Sequence, residues 1–359
     1  MNHPWVLGAV AAAAGLGGTA FADSLRTVPA NSPAVLYEGR CAVDPDGSVR
    51  LGFPGVTVHL RFRGTTLVLK ARANKDNFLD VSVDDGAPAQ VRLRAGDGEY
   101  PVVKVPEVSE HTVTLTRCNE SWQGTFTVLG FDPGADGTLL APKELPSRRL
   151  MFIGDSVTCG EMTAWTPDPD PGRGSDANAR LSYGMILARR LGAQCALVSC
   201  GGRGIVRDWQ GNRDGGNAPQ FYELALPDDP AVFWRHSLYM PDAIGIQLGT
   251  NDFSRGIPDQ NEFVNAYVEF VRKVQRDAPG ALIFLMDSPI LQDDPLGGPR
   301  RTALHAYLAG IVSRVASPRV ILAPLPHYPG VPGNGHPTGP EHRAMAAELE
   351  PLLKSQLGW

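Results

Sequence analysis

The fold of the second half of the chain is decided by the stretch LMFIGDS, residues 150–156. Its four apolar residues predict a buried strand, and Gly154 allows a sharp turn that leaves the Ser156 hydroxyl at the strand's C-terminal end. Folds that alternate strands and helices place their ligands at that end of the sheet. Ser156 is therefore a candidate nucleophile, with a helix N-cap as the plain structural alternative.

A second buried strand is predicted at AIGIQL, residues 243–248, and it runs directly into the motif GTND at 249–252. Asn251 should therefore emerge at the same edge of the sheet as Ser156. Its side-chain amide can donate a hydrogen bond to the oxyanion of an acyl-transfer reaction. Asp252 is expected to cap the turn rather than to take part in chemistry.

A third strand, ALVS at 196–199, leads into the glycine cluster GGRG at 201–204. Acyl transfer needs two or three donors aimed at the developing charge, and main-chain N–H groups commonly supply them. The predicted donors are the main-chain N–H groups of Ser156 and Gly202, with Gly204 as second choice. A simple tight turn is the alternative for such a cluster.

The base that a serine nucleophile requires is predicted at His336, in the motif GHP at 335–337. A histidine titrates near neutral pH and can accept the hydroxyl proton. His336 lies 336 − 156 = 180 positions after Ser156, so only the fold can bring the two together. A surface loop residue is the alternative.

From residue 150 onward, strands and helices alternate. The predicted helices are 180–191, 260–277, 299–315 and 340–356, and the strands lie near 150, 196, 244, 282 and 320. This order predicts a parallel sheet covered by helices on both faces, a three-layer α/β domain.

The first third of the chain has a different pattern. Short alternating stretches at 56–62, 66–70, 79–83, 91–93 and 112–116 predict an antiparallel β-sandwich, and Asp84-Asp85-Gly86 predicts a hairpin turn. Proline, glycine and charge are concentrated between Asp132 and Arg149. The predicted units are a β-sandwich at 23–133, a linker at 134–149 and an α/β domain at 150–359.

The N-terminus resembles a signal peptide spanning residues 1–22. An apolar run from Trp5 to Thr19 precedes Ala20-Phe21-Ala22, which offers the small residues that signal peptidase reads, so cleavage after Ala22 is expected. The mature protein is then secreted or periplasmic, with no membrane span. Five cysteines leave one unpaired; Cys41 with Cys118, and Cys159 with Cys200, are pairs that the sequence leaves open.

Charge and composition restrict the partners. The net charge of −5 comes without a basic stripe, which argues against nucleic acid, and no cysteine or histidine spacing predicts a metal site or a cofactor. Trp209 and Trp165 follow two of the motifs and are candidates for stacking on a sugar ring, with core or lid packing as the alternative. The remaining histidines with no motif around them, among them His236, His305 and His327, are expected to be structural.

Four segments carry a resemblance to a known family: GDSVTCG at 154–160, GGRGIVRDWQG at 201–211, LGTNDFS at 248–254 and GHP at 335–337. Residues 148–357 resemble the SGNH (GDSL-type) hydrolases and, with the β-rich region in front, carbohydrate esterase family 2 in particular. The resemblance implies a flavodoxin-like α/β domain preceded by a jelly-roll-like β-sandwich. It also implies a metal-free serine esterase that removes O-acetyl groups from xylan, mannan or glucomannan.

One position departs from the family pattern. SGNH enzymes carry an aspartate two or three residues before the histidine, but here those positions are Asn334 and Gly333. The expected arrangement is therefore a Ser156–His336 dyad, with a main-chain carbonyl of residues 333–335 orienting the ring and Asn334 as the possible side-chain substitute. The missing carboxylate leaves a non-catalytic carbohydrate-binding protein as an alternative, and an esterase for lipid or other small acyl esters as another.

Overall fold

The computed structural model describes residues 27–168 and 175–359 and contains two large β-sheets. One sheet is antiparallel and is built from the first part of the chain, and the other is parallel and is built from the second part. The predicted fold class is confirmed in both parts. The predicted signal peptide lies outside the described residues.

The antiparallel sheet has ten strands within the described residues, in the order β3-β4-β9-β5-β8-β6-β7, with β1 on β9 and both β2 and β10 on β5. The stretches predicted from the sequence lie in β5, β6, β7 and the end of β8, and the other six strands were not predicted. β5 joins two predicted stretches through bulges near Gly64 and Leu67, and bulges bend a strand and increase its twist. The strands are β1 Val28–Pro29, β2 Val35–Glu38, β3 Cys41–Val43, β4 Val49–Leu51, β5 Thr57–Ala73, β6 Asn77–Val83, β7 Ala89–Leu93, β8 Gly96–Arg117, β9 Phe126–Asp132 and β10 Thr138–Leu140.

The hairpin predicted at Asp84-Asp85-Gly86 connects β6 to β7. Asp84 and Asp85 have φ values of 50° and 58°, and Gly86 N–H donates to Val83 O at 2.9 Å, as in a type I′ turn. The segment predicted as a linker differs from the expectation, because β10 within it pairs with Arg61–Arg63 of β5.

The parallel sheet has the strand order β12-β11-β13-β14-β17, and a small hairpin, β15-β16, lies outside it. Its five strands and the four long helices lie where the sequence predicted them, although α2 begins three residues later because 179–181 form a 3-10 helix. The elements are β11 Arg149–Gly154, α1 Ser156–Cys159, α2 Tyr183–Leu191, β12 Gln194–Ser199, α3 Ala218–Phe221, β13 Ala243–Gln247, α4 Gln260–Asp277, β14 Leu282–Met286, β15 Asp293–Asp294, β16 Gly298–Pro299, α5 Arg300–Val315, β17 Val320–Ala323 and α6 Gly339–Leu357.

The strand order reverses at β11: β12 pairs with one edge of β11, and the next strand in the chain, β13, pairs with its other edge. In open α/β sheets the crevice at such a switch point, outside the carboxyl ends of the strands, is where ligands bind. Ser156 follows β11 and Asn251 follows β13, so the two lie at this crevice.

The two sheets are joined by buried polar contacts. The Arg40 guanidinium, from the antiparallel sheet, donates to Tyr222 O at 2.6 Å and to Leu224 O at 2.8 Å. It also lies over the rings of Tyr222 and Trp234. Burial lowers the pKa of Arg40 to about 10, so the group stays charged at neutral pH inside the interface.

Candidate active site

Ser156 is the first residue of α1, directly after β11. The preceding Asp155 is fully buried, and its carboxylate caps the helix by accepting the Val157 N–H at 3.0 Å. Burial raises the Asp155 pKa to about 7. The strand, cap and helix together hold the serine in a fixed turn.

Gly154 is required at this turn by space. A Cβ on Gly154 would lie 2.0 Å from Thr158 Oγ1 and 3.0 Å from the main-chain oxygen of Gln247. Thr158 in turn lies 2.8 Å from the Tyr183 hydroxyl within the core. The sequence predicted the glycine for its backbone freedom, whereas the structure uses it for close packing of α1 against β13.

His336 meets Ser156 as predicted from the motifs. Its Nε2 lies 2.7 Å from Ser156 Oγ, and it stands in the loop between β17 and α6. Burial lowers the pKa of His336 to about 4. The ring is therefore neutral at neutral pH, and Nε2 can accept the serine proton.

Asn334 contacts this ring through its side chain. Its Oδ1 lies 2.6 Å from His336 Nδ1 and also accepts the His336 main-chain N–H at 3.2 Å. The structure thus differs from the expectation of a main-chain carbonyl, because Gly333 and Gly335, with φ of 77° and 83°, turn the loop so that the side chain reaches the ring. An amide oxygen only accepts, so Nδ1 carries the proton and Nε2 is left free for Ser156.

The candidate oxyanion donors converge on the same edge of the sheet. Asn251 is 7% exposed, and its Nδ2 donates to Arg203 O at 2.8 Å, which leaves the second N–H of the amide for a ligand. Gly202 has φ of 76°, which favours glycine, and a Cβ there would lie 2.8 Å from Trp209 Cδ1. Gly204, the second choice, is packed against the Asp252 carboxylate.

Asp252 stabilises the glycine loop, as the sequence predicted for a turn cap. Its buried carboxylate accepts the main-chain N–H groups of Ile205, Val206 and Arg207 at 2.8 to 3.2 Å. The loop after β12 is therefore anchored to the residue next to Asn251, which fixes the two candidate donors relative to each other.

No pattern in the sequence predicted that the carboxyl groups of Glu120 and Glu161 lie close together. Glu120, from the β-sandwich, lies where a Gly201 side chain would be, and Glu161 N–H donates to Ser156 O at 3.0 Å. Burial and the neighbouring Glu161 carboxyl raise the pKa of Glu120, and burial raises that of Glu161. Two carboxyl groups this close share one proton. They come from different domains, so no local pattern could have paired them.

The two candidate sugar-stacking residues differ in exposure. Trp209 is 52% exposed and lies on Gly202. Trp165 is half-buried, and its main-chain N–H donates to Met162 O at 3.1 Å. Trp209 therefore presents more of its ring to a ligand.

All five cysteines are free thiols, so neither pair left open by the sequence forms. Cys159, three residues after Ser156, donates to Ser199 Oγ at 3.3 Å, and burial raises its pKa well above the usual range. A thiol held protonated in the core is a poor nucleophile.

The other histidines lie outside the site. His305 contacts Asp287 at 3.1 Å, and His327 lies 2.9 Å from Pro289 O. Among the described residues, one group has the spacing for a metal ion: Glu223, His236 and Asp277. Lys273 Nζ, however, lies 2.8 Å from Glu223 and 3.0 Å from Asp277, so a cationic side chain already bridges the two carboxylates.

A parallel sheet in this order, with a serine on a strand-turn-helix and a histidine within hydrogen-bond distance of it, is typical of a GDSL-type hydrolase. Residues 152–350 match the GDSL-like Lipase/Acylhydrolase family, and residues 37–142 match the carbohydrate esterase 2 N-terminal family. The chain belongs to carbohydrate esterase family 2 and is a carboxylic ester hydrolase.

Its relatives agree in sequence and structure. An acetylxylan esterase / glucomannan deacetylase of Cellvibrio japonicus is 36% identical, over 94% of this chain and 93% of the relative. A family two carbohydrate esterase from Cellvibrio japonicus superposes with a TM-score of 0.87, over 93% of this chain and 98% of that one. One from Clostridium thermocellum, in complex with cellohexaose, is 29% identical with a TM-score of 0.83, over 90% and 99%.

None of the helices in the described ranges is long and apolar enough to cross a membrane.

Proposed function

We propose that this chain removes O-acetyl groups from a polysaccharide of the xylan, mannan or glucomannan type, through an acyl-enzyme on Ser156. The observation that carries the proposal is the 2.7 Å contact between Ser156 Oγ and Nε2 of a neutral His336. The names of the relatives support the substrate class.

The first half-reaction transfers the acetyl group to the protein. Ser156 Oγ attacks the acetyl carbonyl carbon while its proton passes to His336 Nε2. The oxyanion of the tetrahedral intermediate accepts from the Ser156 and Gly202 main-chain N–H groups and from the Asn251 amide. The C–O bond to the sugar then breaks, and His336 returns the proton to the departing sugar oxygen.

The second half-reaction releases acetate. His336 takes a proton from a water molecule, which attacks the acetyl-serine carbonyl, and the proton returns to Ser156 Oγ when its ester bond breaks. Throughout, Asn334 Oδ1 holds the Nδ1 proton of His336, so Nε2 remains the transferring nitrogen.

The surroundings of the site support a carbohydrate substrate. Trp209 packs against Gly202 but keeps about half of its surface exposed. A pyranose ring can stack on the exposed part of the indole. The Ala20-Phe21-Ala22 segment supports export of the protein to the compartment where such polymers occur. A non-catalytic protein was an alternative because the carboxylate that contacts the histidine in related enzymes is missing here. The Asn334 side chain makes that contact with His336 instead, which supports catalysis.

Acetate release from acetylated xylan and acetylated glucomannan tests this function. Ser156→Ala should lower kcat by on the order of 10⁶, the loss that the equivalent change causes in a serine protease. Ser313→Ala, an exposed serine on α5, is the matched control and should retain full activity. Substantial turnover by a folded Ser156→Ala protein would rule out the serine mechanism.

The same assay identifies the substrate class. A wild-type protein that hydrolyses nitrophenyl acetate but releases no acetate from either polymer would contradict the carbohydrate assignment while leaving the esterase intact.

A further inference from the structure

Trp122 is an exposed tryptophan that the reaction described above does not use. It lies between β8 and β9 of the sandwich, in a 3-10 helix spanning Ser121–Gln123, and is 63% exposed. Among the described residues, Trp122 and Trp209 are the two tryptophans with more than half of their surface in solvent. Tryptophan is enriched at binding surfaces because its large ring has an apolar face and a polar N–H, which makes an exposed indole a candidate binding residue.

The turn that carries Trp122 is rigid. Arg117, which is fully buried, donates to the main-chain oxygens of Asn119, Glu120 and Gly124. Gln123 Oε1 accepts the Glu120 N–H at 2.9 Å, which closes a capping box. Because the main chain of this turn is held in place, less conformational entropy is lost when Trp122 binds a ligand than on a flexible loop.

This turn is packed against the loop after β12, residues 201–204, which carries the candidate oxyanion donor Gly202 and is called the oxyanion loop below. Ser121 Oγ donates to Ser199 O at 2.5 Å, and the Glu120 carboxyl fills the space beside Gly201. Trp209 covers the next residue, Gly202. The turn that carries Trp122 and the ring of Trp209 thus both contact residues 199–202.

A cavity of about 260 Å³ lies beside Trp122. Binding sites for drug-sized ligands span roughly 300–1,000 Å³, so this one suits a single sugar unit better than a larger ligand. The cavity combines two aromatic side chains with charged and polar groups, including one from the esterase domain: Trp122, Phe78, Lys75, Asp76, Arg92 and Ser175.

The chemistry of this cavity fits a neutral sugar. A ring face can stack on Trp122, and hydroxyl groups both donate and accept, so they can bond to lysine and arginine donors and to an aspartate acceptor. Asp76 and Arg92 already pair with each other, which leaves the cavity without a strong net charge. A larger cavity, of about 510 Å³ near Asp84 and Lys143 on the sandwich, lacks a tryptophan, tyrosine or phenylalanine.

We infer that Trp122 and its cavity form a sugar subsite, supplied by the β-sandwich, for another unit of the polysaccharide chain whose acetyl group is at Ser156. The inference rests on the proposed function for the identity of the chain. It assigns to the sandwich a direct part in holding the polymer.

The experiment compares substrates of different length. Acetylated xylan or glucomannan and its acetylated disaccharides are assayed with wild type and Trp122→Ala, with nitrophenyl acetate as the internal reference. Trp122→Ala should raise KM for the polymer by about threefold to tenfold relative to the reference, with kcat little changed. Trp122→Phe should restore most of the affinity, and Phe233→Ala, which removes another exposed aromatic side chain, is the matched control.

A second arm keeps the subsite test separate from the test of function. Cellohexaose and xylohexaose are titrated by calorimetry into Ser156→Ala and into the Ser156→Ala/Trp122→Ala double variant. Weaker binding by the double variant supports the subsite even if no polymer proves to be a substrate. Equal binding in both proteins and an unchanged KM for the polymer would overturn it, as would a loss of equal size on polymer and nitrophenyl acetate.

Discussion

The two halves of the Ser156–His336 pair are held in place by different means. Ser156 sits on a buried strand-turn-helix, in which Gly154 and Asp155 are packed against the core. His336 sits in a loop, and its ring is oriented by the exposed side chain of Asn334 two residues away. The proposed nucleophile is thus fixed by the fold, and the proposed base by one local contact.

This difference sets an order of expected sensitivities. Ser156 and Asn251 follow buried strands, and no other group can replace them. Removing either therefore leaves the proposed transition state without a group that it needs. In the His336 loop, by contrast, a water molecule can replace the exposed Asn334 Oδ1 as the hydrogen-bond acceptor for the ring. Substitutions on the core side should therefore cost more activity than substitutions in the loop.

After the loss of Ser156 itself, the largest effect is expected for Asn251→Ala. Loss of an oxyanion donor should lower kcat by about 10²–10³ with little change in KM, because the amide acts on the transition state. Steady-state kinetics on nitrophenyl acetate measure both constants, and Asn265→Ala, at an exposed asparagine on α4, serves as the control. An effect on KM alone would mean that Asn251 binds substrate. Residues that follow the buried strands would then be no more sensitive to substitution than residues in the His336 loop.

A smaller loss is expected for Asn334→Ala. Removing one hydrogen-bond partner of the ring should reduce kcat/KM roughly 10- to 100-fold, or about 1.4–2.7 kcal/mol. Pro332→Ala, exposed in the same loop, controls for loop disturbance. A loss as large as that of Asn251→Ala would show that the loop is as demanding as the core.

The pH profile sharpens this comparison. The proposed mechanism needs neutral His336, whose pKa of about 4 places the acidic limb of kcat/KM well below the ordinary histidine range. In Asn334→Asp, a carboxylate next to the ring favours the imidazolium and raises this pKa, so the limb should move to higher pH by about 1–3 units. A profile identical to that of wild type would mean that the side chain at 334 does not contact the ring in solution.

The smallest effect on activity is expected for Glu120→Gln. Glu120 holds a proton in the folded protein because burial and Glu161 raise its pKa, so an uncharged amide should keep kcat/KM within about twofold. In the unfolded chain the carboxyl ionises above pH ~4.3, so wild-type stability should fall as pH rises from there towards the folded pKa.

Denaturant unfolding at pH 5 and pH 8 measures this slope. Glu120→Gln should unfold with a weaker pH dependence than wild type, whereas Glu107→Gln, an exposed control, should not. The same slope in wild type and Glu120→Gln would contradict a protonated Glu120.

The sequence could predict those features that depend on continuous patterns. The apolar runs before Ser156, Gly201 and Asn251 gave the strands, and parallel strands bring their carboxyl ends to one edge, so the meeting of these motifs followed from the fold. The first half of β8 was missed because Pro101, Pro106 and exposed charges interrupt its alternation. The role of the Asn334 side chain depended on the φ values of two glycines, which no pattern in the sequence fixes.

Because Arg40 is buried between the two sheets, the sandwich cannot be exchanged independently of the α/β domain. Its guanidinium satisfies main-chain oxygens at Tyr222 and Leu224, and Glu120 of the same domain fills the space left by Gly201. Exchanging this sandwich for that of a distant relative would leave these two main-chain oxygens without their donor, or leave a gap beside Gly201. Evolution of the pair is therefore constrained to change both surfaces together, and a change of substrate arises more easily at exposed positions such as Trp209.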